Sequence, residues 1–176
     1  LPGDGLSGSR GENEVDAVFI ARTIDSWVHR GYLTCTIVHF ILECILSLVI
    51  DTSVIIAVIT HEPHRQRLLE ITRAKELVAP RSVFWEIGNA FSAMLKQKRI
   101  TLEQSLISIK NYEMIPLQMV DIDLESALII SERQNIYAYD AYLIACAQKY
   151  RIPLLTLDKR LNLAAVKENV SLMEVE

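Results

Sequence analysis

Four carboxylates stand at the edges of segments that are going to be buried. Asp51 ends the apolar run LVID. Glu86 lies in the amphipathic stretch SVFWEIGNAFSAMLKQKR, Asp140 opens DAYLIACAQKY, and Asp158 directly follows IPLLTL. A carboxylate that loses its hydration is costly unless something compensates it. Two of them at about 4 Å repel by roughly 4 kcal/mol at an effective dielectric near 20. A shared proton or a cation between them removes that cost. Oxygen ligands without His or Cys favour a hard ion, Mg2+ or Mn2+. Each acid also has a plain structural reading. Asp51 and Asp140 could cap the helices that follow them, and Asp158 could be a turn residue before Lys159 and Arg160. Glu86 could pair with a surface lysine. Ser53 and Thr156 lie beside the acids, and Ser53 could orient a ligand or a water, or cap a helix.

Whether the acids meet depends on the elements that carry them. From Leu48 onward, short apolar runs alternate with helical patterns. LVID, LVAP, IPLQMVDI, IPLLTL and VSLMEV read as strands. The segments between them read as helices. In the helix that carries Glu86, apolar residues fall at 84, 87, 91, 94 and 95. Thr101 and Gln104 have capping-box spacing, and Thr52 or Ser53 is available as a cap for the helix after the first strand. This alternation predicts an α/β fold. It is a three-layer α/β/α sandwich around a mostly parallel sheet of four to five strands. Ligands of such sheets bind beyond the carboxyl ends of the strands, where the strand order reverses. Asp51 and Asp158 reach one rim if strands one and four are neighbours. The helix of Asp140 runs antiparallel to strand four and so starts at that rim. Glu86 lies one to two turns into the helix after strand two.

The chain has 176 residues and a net charge of -4. That is enough for one ordinary domain, and it argues against gripping nucleic acid by bulk positive charge. The part from Leu48 onward is nearly neutral. Lys96, Lys98, Arg99, Lys149, Arg151, Lys159 and Arg160 could offset the acids where a phosphate approaches, or serve as solvated surface. Gly88 is the only one of six glycines beyond residue 31, which excludes a dinucleotide fingerprint and a P-loop. Three cysteines without a C-x-x-C pair suit a reducing, cytoplasmic location. Cys146, between Ala and Ala on a helix, reads as a small buried hydrophobe. His61 and His64 read as exposed loop residues rather than a metal pair.

Residues 1–46 read as an N-terminal extension, and 47–176 as the regular domain. The opening LPGDGLSGSRGENE is polar and Gly/Ser-rich, as a mobile segment would be. Ile20, Ile24, Trp27 and Val28 fall at helical spacing. The run from Leu33 to Ile50 is long and apolar enough to be a membrane candidate. It contains His39 and Glu43, and its last residues are needed as a strand, so no membrane association is expected.

LVIDTSVIIA, WEIGNAF and YAYDAYLIACAQKYRIPLLTLDKRL together resemble the PIN-domain ribonucleases, specifically the VapC-type toxins of bacterial toxin–antitoxin pairs. The resemblance covers Leu48 to Glu176. Asp, Glu, Asp and Asp occur in that order, with separations of 35, 54 and 18 residues. Residues 1–46 depart from the family, whose first strand normally starts within a few residues of the N-terminus. The resemblance implies a compact α/β/α fold and cleavage of RNA dependent on Mg2+ or Mn2+. It also implies that Asp51, Glu86, Asp140 and Asp158 bind the metal. A small antitoxin would block the site, often with a basic side chain, and the toxin would be a homodimer.

Two other functions compete. A magnesium-dependent phosphatase could use Asp51 as a covalent nucleophile, but the haloacid-dehalogenase type wants a second Asp where this chain has Ser53. A non-catalytic PIN-like binding module predicts a damaged acid set, and all four acids are present. The helix from Ser82 to Leu95, with Phe84, Trp85 and Phe91, reads as a docking face for an antitoxin helix or second subunit, or as plain core.

Overall fold

The computed structural model describes residues 47–175. The expectations for residues 1–46, and for most of the apolar run 33–50, lie outside the described residues. Four strands form one sheet: β1 (Ser47–Ile50), β2 (Glu76–Pro80), β3 (Leu117–Val120) and β4 (Leu154–Leu155). Their order is β3-β2-β1-β4, and every pairing is parallel. Seven helices accompany them among the described residues. They are α1 (Thr52–Ile59), α2 (Arg65–Thr72), α3 (Ser82–Lys96), α4 (Leu102–Glu113), α5 (Leu124–Gln134), α6 (Ala138–Tyr150) and α7 (Lys159–Lys167).

Burial explains the layering. All four residues of β1 are buried, so both faces of the central strand are covered. α6 lies against β1, β2 and β4, with α5 packed on it, while α1 packs with α2, α3 and α4. α6 buries Ala141, Leu143, Ile144, Ala145, Cys146 and Ala147, a run apolar on nearly every side, as a helix enclosed by neighbours requires. Its small residues allow close approach to the sheet. Full burial of Leu143 and Ile144 contributes about 1.5–3 kcal/mol each. α1 likewise buries Val54, Ile55, Ile56, Ala57 and Ile59.

The strand expected at VSLMEV is reduced to one parallel bridge, Leu154 with Leu172. Leu154 N–H donates to Ser171 O and Met173 N–H donates to Leu154 O, both at 2.9 Å. The partner strand sets that limit. β4 begins after Pro153, which has no N–H to give, and is over by Leu155, so there is no ladder to extend. The capping box of α4 forms as its spacing predicts: Gln104 N–H donates to Thr101 Oγ1 at 3.1 Å, and Thr101 N–H donates to Gln104 Oε1 at 2.9 Å. α1 differs. Its N-cap position belongs to Asp51, no side chain caps it, and the hydroxyls of Thr52 and Ser53 are used elsewhere. Among the described residues, no helix is long and apolar enough to cross a membrane.

Candidate active site

The strand order puts the reversal point between β1 and β4. The chain runs outward from β1 to β2 and β3, then returns to the other side of β1. Asp51 follows β1 directly, and Asp158 lies three residues beyond β4, so both stand at the carboxyl edge of this pair. Asp140 is in the first turn of α6 and Glu86 in the second turn of α3. Four separate elements therefore bring the four acids to one rim.

Electrostatic repulsion links Glu86 and Asp140 to the other acids. Burial raises the Glu86 carboxyl above the usual carboxylate range, with Asp51 and then Asp140 adding to the effect against opposing influences from the hydrogen bond of Thr52 and the nearby hydroxyl of Ser82. Burial also raises Asp140, followed by repulsion from Asp158 and Asp51, while Arg160 pulls the other way. Arg160 is thus a member of the basic set that acts on Asp140. Lys149 is engaged elsewhere, donating to Asp121 O at 2.9 Å and standing over the Tyr150 ring. Lys96, at the end of α3, is ten residues from Glu86, about 15 Å along the helix.

Hydrogen bonds divide the carboxylates oxygen by oxygen. Asp51, 6% exposed, accepts at Oδ2 from Ser53 Oγ and, at 2.6 Å, from Thr156 Oγ1. Asp158 Oδ1 accepts the N–H groups of Arg160 at 2.7 Å and Leu161 at 3.3 Å, so this acid does cap α7. Glu86 Oε2 accepts from Thr52 Oγ1 at 3.1 Å. Oε1 of Glu86 is buried, and it and Ser82 Oγ make no hydrogen bond among the described residues. Three of the acids thus commit one oxygen to a protein donor and leave the other out of that bond. This donor set is all oxygen and anionic, and it fits a hard divalent ion. Among the described residues, however, no three Asp, Glu, His or Cys side chains are gathered closely enough to form a finished metal cage.

Residue types alone did not disclose Thr52 and Thr156 as partners of Glu86 and Asp51. Both sit in apolar stretches where Thr is an ordinary choice. The only hint was a hydroxyl residue adjacent to, or two positions from, an acid. Cys146 is buried, and burial pushes its thiol up to about 12, which leaves it inert. An open cleft of about 410 Å3 between α1 and α3 reaches the rim through Thr52, Ser53 and Leu157. A hollow of about 400 Å3 near Ile59, Met94 and Ile107 touches none of the four acids.

A family model, the PIN domain, matches residues 48–167. The chain belongs to the PIN domain family. This PIN domain is similar in structure to PAE2754 from Pyrobaculum aerophilum, with a TM-score of 0.54 at 18% identity, over 70% of this chain and 90% of that one. It is also similar to VapBC2 from Rickettsia felis, a structure bound to a DNA fragment from their promoter, with a TM-score of 0.54 at 15% identity, over 74% and 99% of the chains. A third is VapC20 of Mycobacterium tuberculosis, described as a sarcin–ricin loop cleaving toxin, with a TM-score of 0.50 at 12% identity, over 66% and 94%. At such identities these likenesses establish the fold. No curated protein sequence matches the chain.

Proposed function

We propose that this PIN domain is a metal-dependent endoribonuclease and the toxin of a VapC-type toxin–antitoxin pair. The observation that carries the reading is the convergence of Asp51, Glu86, Asp140 and Asp158, from four elements, at the β1/β4 rim, where Glu86 is repelled by Asp51 and Asp140, and Asp140 by Asp158 and Asp51. Two of the similar folds being a toxin and a VapBC assembly supports the toxin reading.

Asp51, Glu86, Asp140 and Asp158 would hold Mg2+ or Mn2+. The ion would supply positive charge that acidifies the attacking water and offsets charge on the scissile phosphate. The chain's own residues prepare the site. The hydroxyls of Ser53 and Thr156 orient Asp51, Thr52 orients Glu86, and the amides opening α7 orient Asp158. Arg160 lessens the repulsion that an RNA phosphate meets near Asp140. In this reading RNA is the substrate, a small antitoxin protein occludes the rim, and the toxin pairs as a homodimer in the cytoplasm.

The test is cleavage of structured RNA with Mg2+ by the wild-type chain and by Asp51→Asn and Asp140→Asn. Cleavage is expected from the wild type, with a loss of at least about 100-fold in each variant. Unchanged cleavage by both variants would rule the scheme out.

A further inference from the structure

We infer that Thr156 and Ser53 form a hydroxyl clamp that sets the spacing of Asp51 and Asp158, and are positioning residues for the cation site. The inference rests on the function proposed above and assigns the support of that site. Each hydroxyl has a single proton to give and lone pairs to accept with. Thr156 Oγ1 donates to Asp51 Oδ2 at 2.6 Å and accepts the N–H of Asp158 at 3.0 Å. Ser53 Oγ donates to the same Oδ2 and accepts the N–H of Leu157 at 3.1 Å. Both protons go to one carboxylate oxygen, so the 3.5 Å approach of the two hydroxyls is a contact between acceptors.

The ties are reciprocal. A side chain from the first turn of α1, Ser53, holds the backbone of the turn after β4. A side chain from the turn after β4, Thr156, holds the acid after β1. These bonds join residues 104 and 105 apart in the chain, and Thr156 is only 4% exposed. Two turns that carry like charges would drift apart without such ties. With them, Asp51 is held through Oδ2 and Asp158 through its own N–H and its cap. The oxygens outside these bonds, Asp51 Oδ1 and Asp158 Oδ2, keep a fixed relation across the reversal point. A hydroxyl that merely satisfied a buried carboxylate would not need to hold the opposite backbone as well.

The experiment uses the full chain as wild type, Thr156→Val, Thr156→Ser and Ser53→Ala. Mn2+ affinity is measured by calorimetry, and amide hydrogen exchange is followed at Leu157 and Asp158. Thr156→Val should expose the Asp158 amide to exchange and weaken Mn2+ binding about 10- to 100-fold, the range for groups that orient a metal ligand. Thr156→Ser, which keeps the hydroxyl, should restore both. Ser53→Ala should expose the Leu157 amide and weaken binding less, and it carries the test if Thr156→Val does not fold. Wild-type affinity in Thr156→Val despite a freed Asp158 amide would overturn the clamp and leave the nuclease proposal standing. Weak binding by Thr156→Ser as well would also overturn it, because packing and not the hydroxyl would then be at work. A wild-type chain that binds no Mn2+ would overturn the clamp together with the metal reading.

Discussion

The hydroxyl of Thr52 donates to Glu86 Oε2 at 3.1 Å and joins the first turn of α1 to the second turn of α3. Thr52 is buried, and its bond is the one that meets hydrogen-bond geometry at this carboxylate among the described residues; the Ser82 hydroxyl lies near enough to lower Glu86 but makes no such bond. Thr52→Val keeps the shape and removes the donor. It should destabilise the chain by about 1–3 kcal/mol, the cost of leaving a buried acceptor unsatisfied, as read by thermal denaturation in chelator. Mn2+ affinity should fall by roughly 10-fold, because Glu86 loses its orientation. A variant indistinguishable from wild type in both would show that Glu86 is held by packing alone.

The raised carboxyls of Glu86 and Asp140 make stability depend on pH. In the unfolded chain both titrate in the ordinary carboxylate range, and in the fold they titrate higher. Between those values the folded chain binds more protons, so stability falls as pH rises through the window. Below it both states are protonated, and the penalty is absent. Glu86→Gln and Asp140→Asn remove the charge. In chelator each should melt higher than wild type above the window, by roughly 4 °C if about 1 kcal/mol is recovered, and no higher below it. Melting curves from pH 3 to 8 check the sign, and variants that melt lower than wild type at neutral pH would contradict it.

What the sequence disclosed was governed by how local each cause is. The capping box of α4 joins residues three apart and was legible from Thr101 and Gln104 alone. The shared rim was legible because topology needs only the alternation of strands and helices and the position of each acid at or within two turns of an element's end. The hydroxyl partners were not, since Thr52 meets Glu86 across 34 residues and Thr156 meets Asp51 across 105, separations that leave no periodic trace. The alternatives weighed for Asp158 turn out to be compatible, because capping α7 uses only Oδ1. VSLMEV carries a strand-like pattern, but strand length depends on a partner, and two-residue β4 supplies almost none.

Glu168 ties three helices together far from the rim. It is buried at the C-cap of α7 and accepts from Arg133 Nη1 at 2.9 Å and from Gln134 Nε2, while its carbonyl accepts Gln148 Nε2 at 2.9 Å. Arg133 is more than half exposed, so water screens the ion pair, and most of the value lies in the amide bonds. Glu168→Ala strands the Arg133 and Gln134 donors, keeps the backbone carbonyl that holds Gln148, and should cost about 1–2 kcal/mol. Glu168 is ten residues from Asp158, about 15 Å along α7, so Mn2+ affinity should not change. Equal losses of stability and affinity would mean that the rim and this latch are not independent.

The helix that reads both as docking face and as core divides between the two. Ile87 and Phe91 are each 3% exposed, whereas Phe84 and Trp85 are 55% and 65% exposed and meet edge-to-face with centroids 5.0 Å apart. The difference follows from helical period: 87 and 91 are one turn apart on the inner face, and 85 points away from them. Phe91→Ala should therefore cost about 3–5 kcal/mol, the usual loss for a buried aromatic. Trp85→Ser removes a larger side chain yet should cost only about 0.5–1 kcal/mol, chiefly the ring pair with Phe84. Urea denaturation of the two variants side by side decides the matter. A Trp85→Ser loss as large as that of Phe91→Ala would mean that Trp85 is covered in solution, by a second copy or a partner, and repeating the measurement across protein concentration would tell which.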